Sequence, residues 1–386
     1  MSPAGVLRCM RAATSWPRQS TFLTGNLNIP GACWAQLGDL SRWVKHRSLF
    51  NHAVKDYVRL KYKDLKVNSG FGVLQARGTV DFLIKPTSVQ EYPDADRAFI
   101  SIYGLPTVSC DDINIELTGE LKDTLTVTAS PQSPKMFCEV QIPIKYDLDV
   151  NLFHQASVQI LGIEADEVHL STEEGEVSTC GLKSHNIHIN TEHGNITFEG
   201  AIQGNLFIKA KKTHIKAKRL QGLMLNIEAE ELSTAIESSY MNEGQISAKQ
   251  GDVIINSLHG FTDFLIKEGR ISVTGFHGQL SCFVGSGEVD IQVTDVTANS
   301  TLHINEGSLV LSVLENPRHD LDVTAQSLDI SKEISSAGIL SNNNQTFNLI
   351  RKDNSEASTL KATVLNGSAK VKCQDWFSSL GIRVDT

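Results

Sequence analysis

Apolar and polar residues alternate along a stretch in the middle of the chain, and turn residues interrupt the alternation. Ile187 and Ile189 alternate with polar neighbours, as in a strand with one buried face. A turn containing Gly194 follows, where glycine permits a backbone conformation that other residues avoid. A second alternating segment then contains Ile196 and Phe198. This pattern predicts two short strands joined by a glycine turn.

The same pattern recurs at a nearly constant interval. The turn positions Gly175, Gly194 and Thr213 are nineteen residues apart, and Ala156 lies nineteen residues before Gly175. After a less regular copy near Glu231, the turns resume at Gly251, Gly269, Gly287, Gly307 and about residue 327. A fixed period with two short strands per copy is typical of stacked coils. The sequence therefore predicts an all-β protein, a parallel β-solenoid of about ten coils of ~19 residues.

Stacking at this period places residues that are nineteen apart next to one another, about 4.8 Å apart along the axis. Two internal ladders follow from it, Val177–Ile196–Ile215 and Leu170–Ile189–Ile208. The positions after the turns, such as Asn195 and His214, are polar and are predicted to face solvent. The alternative is an antiparallel sandwich, which also has strands at roughly 8–12 residue spacing. A sandwich, however, does not require the same residue type to recur at one phase.

The first fifty residues have a different composition. No Asp or Glu precedes Asp39, and Arg8, Arg11 and Arg18 lie among Ser, Thr and Ala. An Arg-rich, Ser-rich and acid-poor beginning is typical of a mitochondrial transit peptide. We therefore expect residues 1–50 to direct the protein to the mitochondrial matrix. The alternative is a disordered N-terminal tail on a cytoplasmic protein.

Two further regions flank the predicted repeats, which occupy residues 147–332. Residues 51–146 contain strand patterns without the nineteen-residue phase, and they are predicted to form an antiparallel β cap over the first coil. Residues 333–386 are predicted to form a loop and a C-terminal capping segment, in which Trp376 and Phe377 cover the last coil. Caps are needed because an open coil is an exposed sheet edge.

Composition and charge indicate which classes of binding partner the protein has. The 386 residues are 40% hydrophobic and 20% charged, with no apolar run long enough to cross a bilayer. The net charge of −9 argues against nucleic acid as a partner. We interpret the basic residues between Lys209 and Arg219 as a solvated face, with a stripe for an anionic ligand as the alternative. The seven cysteines are scattered without a zinc pattern, which indicates reduced thiols.

One candidate constellation consists of histidines. His169 and His188 are nineteen residues apart, so their imidazoles are predicted to stack on adjacent coils. Two imidazoles at that distance could share a metal ion. Phe207 continues the same ladder, however, and no carboxylate shares its phase. We therefore expect stacked surface side chains rather than a metal site.

A second candidate consists of acids. Glu173 and Glu192 are also nineteen residues apart, and paired carboxylates on one face are what glycoside-cleaving enzymes need. Lys211 follows them in the same ladder and is expected to compensate their charge. No phosphate-binding glycine loop and no nucleophile motif accompany them. The sequence therefore predicts no catalytic residue, no cofactor-binding or metal site, and no cofactor.

The chain resembles a known family. The segment VQIPIKYDLDV at residues 140–150, followed by alternating strands and turn glycines, is similar to the putative-adhesin β-solenoid domain of many bacterial proteins. YPDADR at residues 92–97 and DWFSSL at residues 375–380 resemble an uncharacterised animal branch, the "family with sequence similarity" proteins that carry this domain. The resemblance covers roughly residues 57–386. It implies adhesion or binding, and it brings no catalytic residues with it.

Two classes of function remain. The first is a non-enzymatic binding or scaffold protein that presents a long, rigid, repetitive surface to a protein partner. The second is a carbohydrate-active hydrolase or lyase on a β-solenoid, with Glu173 or Glu192 in its acid pair. The mixed charges at the turns fit neither a polyanion nor single-stranded nucleic acid. We therefore predict the binding or scaffold role, with no nucleic acid and no transmembrane segment.

Overall fold

The computed structural model describes residues 57–374, except residues 69, 131–135, 316, 337–338, 342–344 and 351–357. The predicted transit segment, residues 1–50, and the aromatic lid at Trp376 and Phe377 lie outside the described residues. The alternating pattern does form strands, and all of them join one sheet of nineteen strands. The protein is all-β, with a long β-helical sheet and a single short helix among the described residues.

The strands of the first half are short. They are β1 (Val58–Lys66), β2 (Phe71–Gly78), β3 (Asp81–Pro86), β4 (Arg97–Gly104), β5 (Ile113–Thr118), β6 (Thr124–Ala129), β7 (Met136–Ile142), β8 (Lys145–Leu152), β9 (Val158–Leu161), β10 (Glu167–Thr172) and β11 (Val177–Cys180).

The second half contains much longer strands, because extended backbone continues around the corners of the coils. The elements are β12 (Lys183–Ile255), β13 (Leu258–Val296), β14 (Ser300–Leu314), β15 (Asp320–Thr324), β16 (Ser327–Ile330), α1 (Lys332–Ser335), β17 (Ile339–Ser341), β18 (Thr346–Leu349) and β19 (Thr359–Gln374).

The predicted period is the spacing at which the middle strands pair. In β10 and β12, Leu170 pairs with Ile189 in parallel register, and in β11 and β12, Val177 pairs with Ile196. Between β12 and β13 the spacing is nineteen residues at Ser239 and Tyr240 and eighteen from Glu243 onward, and between β13 and β14 it is twenty. Ile196 is fully buried, whereas the neighbouring Asn195 is exposed. The predicted inward ladders are therefore confirmed from β10 and β11 to β12, and Ile208 and Ile215 are buried in the same core, which runs along the coils.

Stacked glycines form one corner of the coils. Gly287 and Gly307 are register partners, and Gly307 pairs in turn with Gly367. Gly307 has a φ of +140°, and a Cβ at this position would lie 1.8 Å from the carbonyl oxygen of Gly287. A side chain would therefore collide with backbone that cannot move aside. The close approach of successive coils explains why glycine recurs at the turn positions.

At the N-terminal end, the coils do not follow the order of the chain. Leu74 in β2 pairs in parallel with Leu148 in β8 on one side and with Leu125 in β6 on the other. In the same way, Ile84 in β3 pairs with Ile160 in β9 and with Val140 in β7. The coil made of β2 and β3 thus lies between two coils that come later in the sequence.

The expected antiparallel cap is therefore only partly correct. β1 and β4 pair antiparallel with each other, β4 pairs antiparallel with β7, and β5 pairs antiparallel with β6. β2, β3, β6 and β7, by contrast, run parallel to the strands that stack on them. Their partners are distant in sequence, so these strands show no local period, although they extend the β-helical sheet.

The C-terminal end has the corresponding rearrangement. β19 pairs in parallel with β14 on one edge and with β15 and β16 on the other. Ser327 therefore pairs with Ser368 rather than with the coil of Gly307. The turn near residue 327 therefore does not stack directly on Gly307, because β19 occupies that place. β18 then pairs antiparallel with β15, and Ile334 of α1 is fully buried at this end.

Candidate binding surface

Charged side chains on successive coils pair with one another on the outside of the sheet. The Lys211 Nζ lies 2.8 Å from a Glu192 carboxylate oxygen, and the Lys249 Nζ lies 3.0 Å from a Glu230 oxygen. A separate row contains Lys212, whose Nζ lies 2.7 Å from Glu231. All these side chains are about half exposed or more. Such pairs add little stability each, but they leave the surface locally neutral.

The basic stretch that begins at Lys209 belongs to this pattern. Besides Lys211 and Lys212, Lys209 lies 3.9 Å from Glu228 on the next coil. Three of its lysines thus have acidic neighbours nineteen residues away. The interpretation as a solvated face is supported for these three side chains, because compensated lysines do not make a field for a polyanion.

The two candidate acids have separate polar partners. Lys211 lowers the pKa of Glu192, through a hydrogen bond and its charge. A general acid that works near neutral pH needs the opposite shift. Glu173 accepts a hydrogen bond from the backbone N–H of His154, whose Nδ1 lies 3.5 Å from the same carboxylate. Each acid therefore has its own basic or N–H partner.

The two candidate histidines stack as predicted. The ring centroids of His169 and His188 are 4.9 Å apart with an angle of 9° between the planes, and His188 and Phe207 are 4.7 Å apart with the same angle. Burial lowers the pKa of His188, and the neighbouring His169 contributes in the same direction. Face-to-face rings do not direct two nitrogens at one ion. In the described residues, no cluster of three His, Cys, Asp or Glu side chains could hold a metal ion.

Two further aromatic stacks were not predicted. The ring centroids of Tyr240 and His259 are 4.5 Å apart, and those of Phe283 and His303 are 5.6 Å apart. The sequence spacing could have predicted both stacks, because Tyr240 and His259 are nineteen residues apart and Phe283 and His303 are twenty residues apart. Leu265 and Phe283 are also exposed large apolar side chains. Aromatic and apolar rows thus interrupt the charged rows.

Two shallow grooves follow the outside of the coils. One has a volume of about 820 Å³, and its lining includes the small side chains Ala210, Ala229 and Ala248. The other has a volume of about 740 Å³ and follows the glycine corner at Gly194 and Gly251. Both are open to solvent along their length. Their repeated walls offer many similar contacts rather than one enclosed pocket.

One buried ion pair lies in the N-terminal strands. Glu139 of β7 is 2% exposed, and its Oε1 is 2.9 Å from the Lys85 Nζ and accepts a hydrogen bond from the Gln141 amide. Its Oε2 has no hydrogen-bond partner. Tyr103 and Phe137 stack nearby with centroids 4.7 Å apart. A charge pair inside a packed layer fixes the register of β3 and β7, because breaking it would leave an unpaired buried charge.

Among the residues that the structure describes, no helix is long and apolar enough to span a bilayer.

Comparison with solved structures finds similar proteins at low sequence identity. A putative adhesin from Bacteroides fragilis is 12% identical, with 83% of this chain and 99% of that chain covered and a TM-score of 0.31. A putative adhesin from Parabacteroides distasonis is 12% identical, with coverages of 80% and 96% and a TM-score of 0.32. A putative lipid binding protein from the same species is 10% identical, with coverages of 81% and 96% and a TM-score of 0.30.

A family model provides the assignment. It matches residues 107–372, which run from just before β5 to the end part of β19. The match therefore includes the middle coils, the antiparallel strands β17 and β18, and the inserted strand β19. β1 to β4 lie before it, although β2 and β3 form a coil within the same sheet. The chain belongs to the Toastrack DUF4097 family.

Proposed function

We propose that this protein is a non-enzymatic binding or scaffold protein that presents a rigid, repetitive surface to a protein partner. The family membership supports a binding role of the kind that the adhesin-like resemblance implies. In the finer description that we propose, the β-helical sheet is a parallel β-solenoid of about ten coils. Each coil then offers the partner one more copy of the same outer rows.

The observation that carries this proposal is the pairing of charges between coils. Glu192 pairs with Lys211 and Lys212 pairs with Glu231 across neighbouring coils, so that opposite charges repeat along the axis. A surface with fixed, repeating and locally neutral rows suits an extended partner that makes many weak contacts. Because each contact is weak, affinity depends on engaging several coils at once.

The geometry of residues 57–374, as far as the structure describes them, gives no support to the alternative, a carbohydrate-active hydrolase or lyase. Such an enzyme needs one carboxyl that stays protonated near neutral pH and a second that acts as base or nucleophile. Lys211 stabilises the ionised form of Glu192 instead. The proposal is that neither Glu173 nor Glu192 takes part in catalysis.

Site-specific photo-crosslinking tests the binding role. A photoreactive residue placed at Asn195 or Gln250, both exposed on the middle coils, should capture the same protein partner. The matched control is Glu116, which is exposed on the cap strand β5. Equal capture from all three positions would contradict a partner that follows the coils. Polysaccharide turnover that is lost in Glu173→Gln or Glu192→Gln would instead establish the enzyme.

Two finer assignments are also proposals. We propose that residues 1–50 are a mitochondrial transit peptide, on the strength of Arg8, Arg11 and Arg18 and the absence of early acids. Changing these three arginines to glutamate should leave the protein in the cytosol, and an unchanged location would contradict the proposal. We also propose that the chain is close to the animal branch described above, because of the segments at residues 92–97 and 375–380.

A further inference from the structure

Strand β19 occupies a slot inside the sheet rather than a place at its end. Its backbone pairs with β14 on one edge and with β15 and β16 on the other. Leu360 and Val371 are fully buried in the core, and Ala362 and Ala369 are nearly so. The strand is therefore held as tightly as a strand in the middle of the molecule. It nevertheless follows both of its neighbours in the sequence.

The two walls of the slot are in phase with each other. Ala362 pairs with Leu302 of β14 and with Val323 of β15, and all three side chains face the core. Ser368 likewise pairs with Ser308 on one side and with Ser327 on the other. Without β19, β15 and β16 could close onto β14 with every inward side chain still inward. Closure would restore part of the backbone pairing that removal of the strand breaks, because β15 and β16 together cover nine register positions of β19 and β14 covers fourteen. This partial restoration lowers the cost of releasing the strand.

The other out-of-order coil has no such freedom. β2 and β3 are connected to β1 on one side and to β4 on the other, and β1 and β4 are paired with each other. Releasing that coil would require the cap strands to come apart. In the described part of the chain, β19 is connected to the rest only through the residues that precede it.

The walls of the slot select β19 by its side chains. The Gln326 amide donates a hydrogen bond to Asn366, and the Lys370 Nζ lies 2.6 Å from a carboxylate oxygen of Asp329. Gly367 stacks on Gly307 at a point where a Cβ would lie 1.8 Å from a carbonyl oxygen. An unrelated strand would meet none of these requirements except by chance. A second copy of β19 meets all of them.

We propose that β19 is an exchangeable strand, and that a second copy of this chain supplies it to the slot between β14 and β15–β16. Reciprocal exchange gives a symmetric dimer in which each slot holds the partner's β19 strand. Every contact of the monomer is retained, so that the two forms differ only in the connection that leads to β19. Exchange of an identical element is a low-cost route to dimers. The inference is independent of the binding role proposed above.

Disulfide trapping between two full-length variants tests the exchange. Ser308→Cys and Ser368→Cys place thiols on register partners, which are about 4.8 Å apart along the axis and within reach of a disulfide. The two purified single variants are mixed, incubated under mildly destabilising conditions, oxidised, and analysed by non-reducing electrophoresis and peptide mass spectrometry. Peptide mapping distinguishes the 308–368 disulfide from any disulfide that a native cysteine forms during the oxidation.

The control replaces Ser308→Cys by Ser286→Cys. Ser286 is exposed on the same corner, but it pairs with Glu306 one coil below the slot, so it is not adjacent to β19. The proposal expects at least several-fold more of the 308–368 covalent dimer than of the 286–368 dimer. Equal yields would overturn it. If either cysteine variant fails to fold, Glu306→Cys with Asn366→Cys provides a second exposed pair of register partners.

A variant with two cysteines in the same chain distinguishes release of β19 from its exchange between two chains. Ser308→Cys/Ser327→Cys forms an intramolecular disulfide only when β19 has left the slot, because the two positions are otherwise two strand spacings apart, about 10 Å. Formation of this bond together with the 308–368 dimer supports the proposal. If the 308–327 disulfide forms but the 308–368 dimer does not, β19 leaves the slot without exchanging, and the proposal is overturned. The absence of both products also overturns it.

Discussion

The middle coils and the two ends of this protein are built from the same kind of strand, but they are assembled differently. In the middle, each strand pairs with the segment eighteen to twenty residues away. At the ends, Leu74 pairs with Leu148, which is 74 residues away, and Gly307 pairs with Gly367, which is 60 residues away. The middle therefore needs only local order, whereas each end requires a long loop to close.

The difference shows how a β-helical sheet can protect its ends. A simple stack of coils frays from its last coil, because that coil has a partner on one edge only. Here an inserted coil at each end has partners on both edges, and antiparallel strands cover the coil outside it. The cost is a larger loss of chain entropy on closing, which grows slowly with loop length. The gain is that the inserted strands β2, β3 and β19 are paired on both edges.

The largest expected loss of stability comes from a charged side chain in the core of the middle coils. Ile196→Asp places a carboxylate at a fully buried position, and burying it unpaired costs several kcal/mol. We expect loss of the cooperative unfolding transition in urea, followed by circular dichroism. The control Asn195→Asp changes an exposed neighbour and should leave the midpoint nearly unchanged. A stable Ile196→Asp variant would contradict the inward ladder.

Substitution of two buried phenylalanines compares the stability of the middle coils with that of the inserted N-terminal coil. Phe264 lies in the middle, Phe82 lies in β3, and both are fully buried. Each Phe→Ala change should lower the free energy of unfolding by about 3–5 kcal/mol, because of lost burial and the cavity that remains. If the Phe82 variant loses far less, with only local exchange of amide hydrogens around β2 and β3, the inserted coil is a loose addition rather than part of the core.

Substitutions of two glycines at the same corner of the coils compare how strictly the backbone excludes a side chain at Gly307 and at Gly251. Gly307→Ala forces a side chain into a φ of +140° and against the Gly287 carbonyl oxygen, so we expect a loss of about 1–3 kcal/mol in unfolding free energy. The nearest atoms to a Cβ at Gly251 are side-chain carbons, of Ile266 at 3.1 and 3.2 Å and of Ala248 at 3.4 Å, and Gly251 has no left-handed φ. The loss for Gly251→Ala should therefore be clearly smaller. Thermal unfolding of the two variants measures the difference. Equal losses would mean that the corner backbone adapts at both places.

The cap has an edge that lysines protect. The Nζ atoms of Lys61 and Lys63 in β1 donate hydrogen bonds of 2.9 and 2.7 Å to the carbonyl oxygens of Ile113 and Ile115 in β5. Lys63→Met removes one of these bonds, so we expect about 1 kcal/mol lower stability and earlier aggregation on heating. Light scattering during a thermal ramp provides the measurement. Lys372→Met, a change at an exposed residue of β19, serves as the control for loss of charge.

The smallest effect concerns pH and the histidine stack. Because burial lowers the pKa of His188 in the folded state, its contribution to stability is present above the unfolded pKa of about 6.5 and is lost as the pH falls through the folded pKa. His188→Phe removes this titration and keeps the ring between His169 and Phe207. The variant should lose less stability than the natural chain between pH 7 and pH 5 in urea titrations. An identical pH dependence would show that His188 does not contribute.

The period of the sequence predicts the class of fold, the inward ladders and the character of the surface. Ile189 and Ile196 could be assigned to the core because their partners recur at a fixed short distance, so that one period predicts both the strand and its neighbour. The stacking of His169 on His188 and the pairing of Glu192 with Lys211 followed from the same spacing. A repetitive chain therefore reveals its side-chain contacts wherever the chain and the stack have the same order.

The places of β2, β3 and β19 in the sheet, by contrast, depend on tertiary contacts. Their alternation predicts strands, but pairing across 60 or 74 residues leaves no periodic signal, since any coil with the same inward phase could be the neighbour. Val323 and Ala362 face the core equally well, and both are compatible with Leu302. The choice between them depends on edge contacts such as Lys370 with Asp329 and on the covering strand β18, which exist only once the coils have assembled.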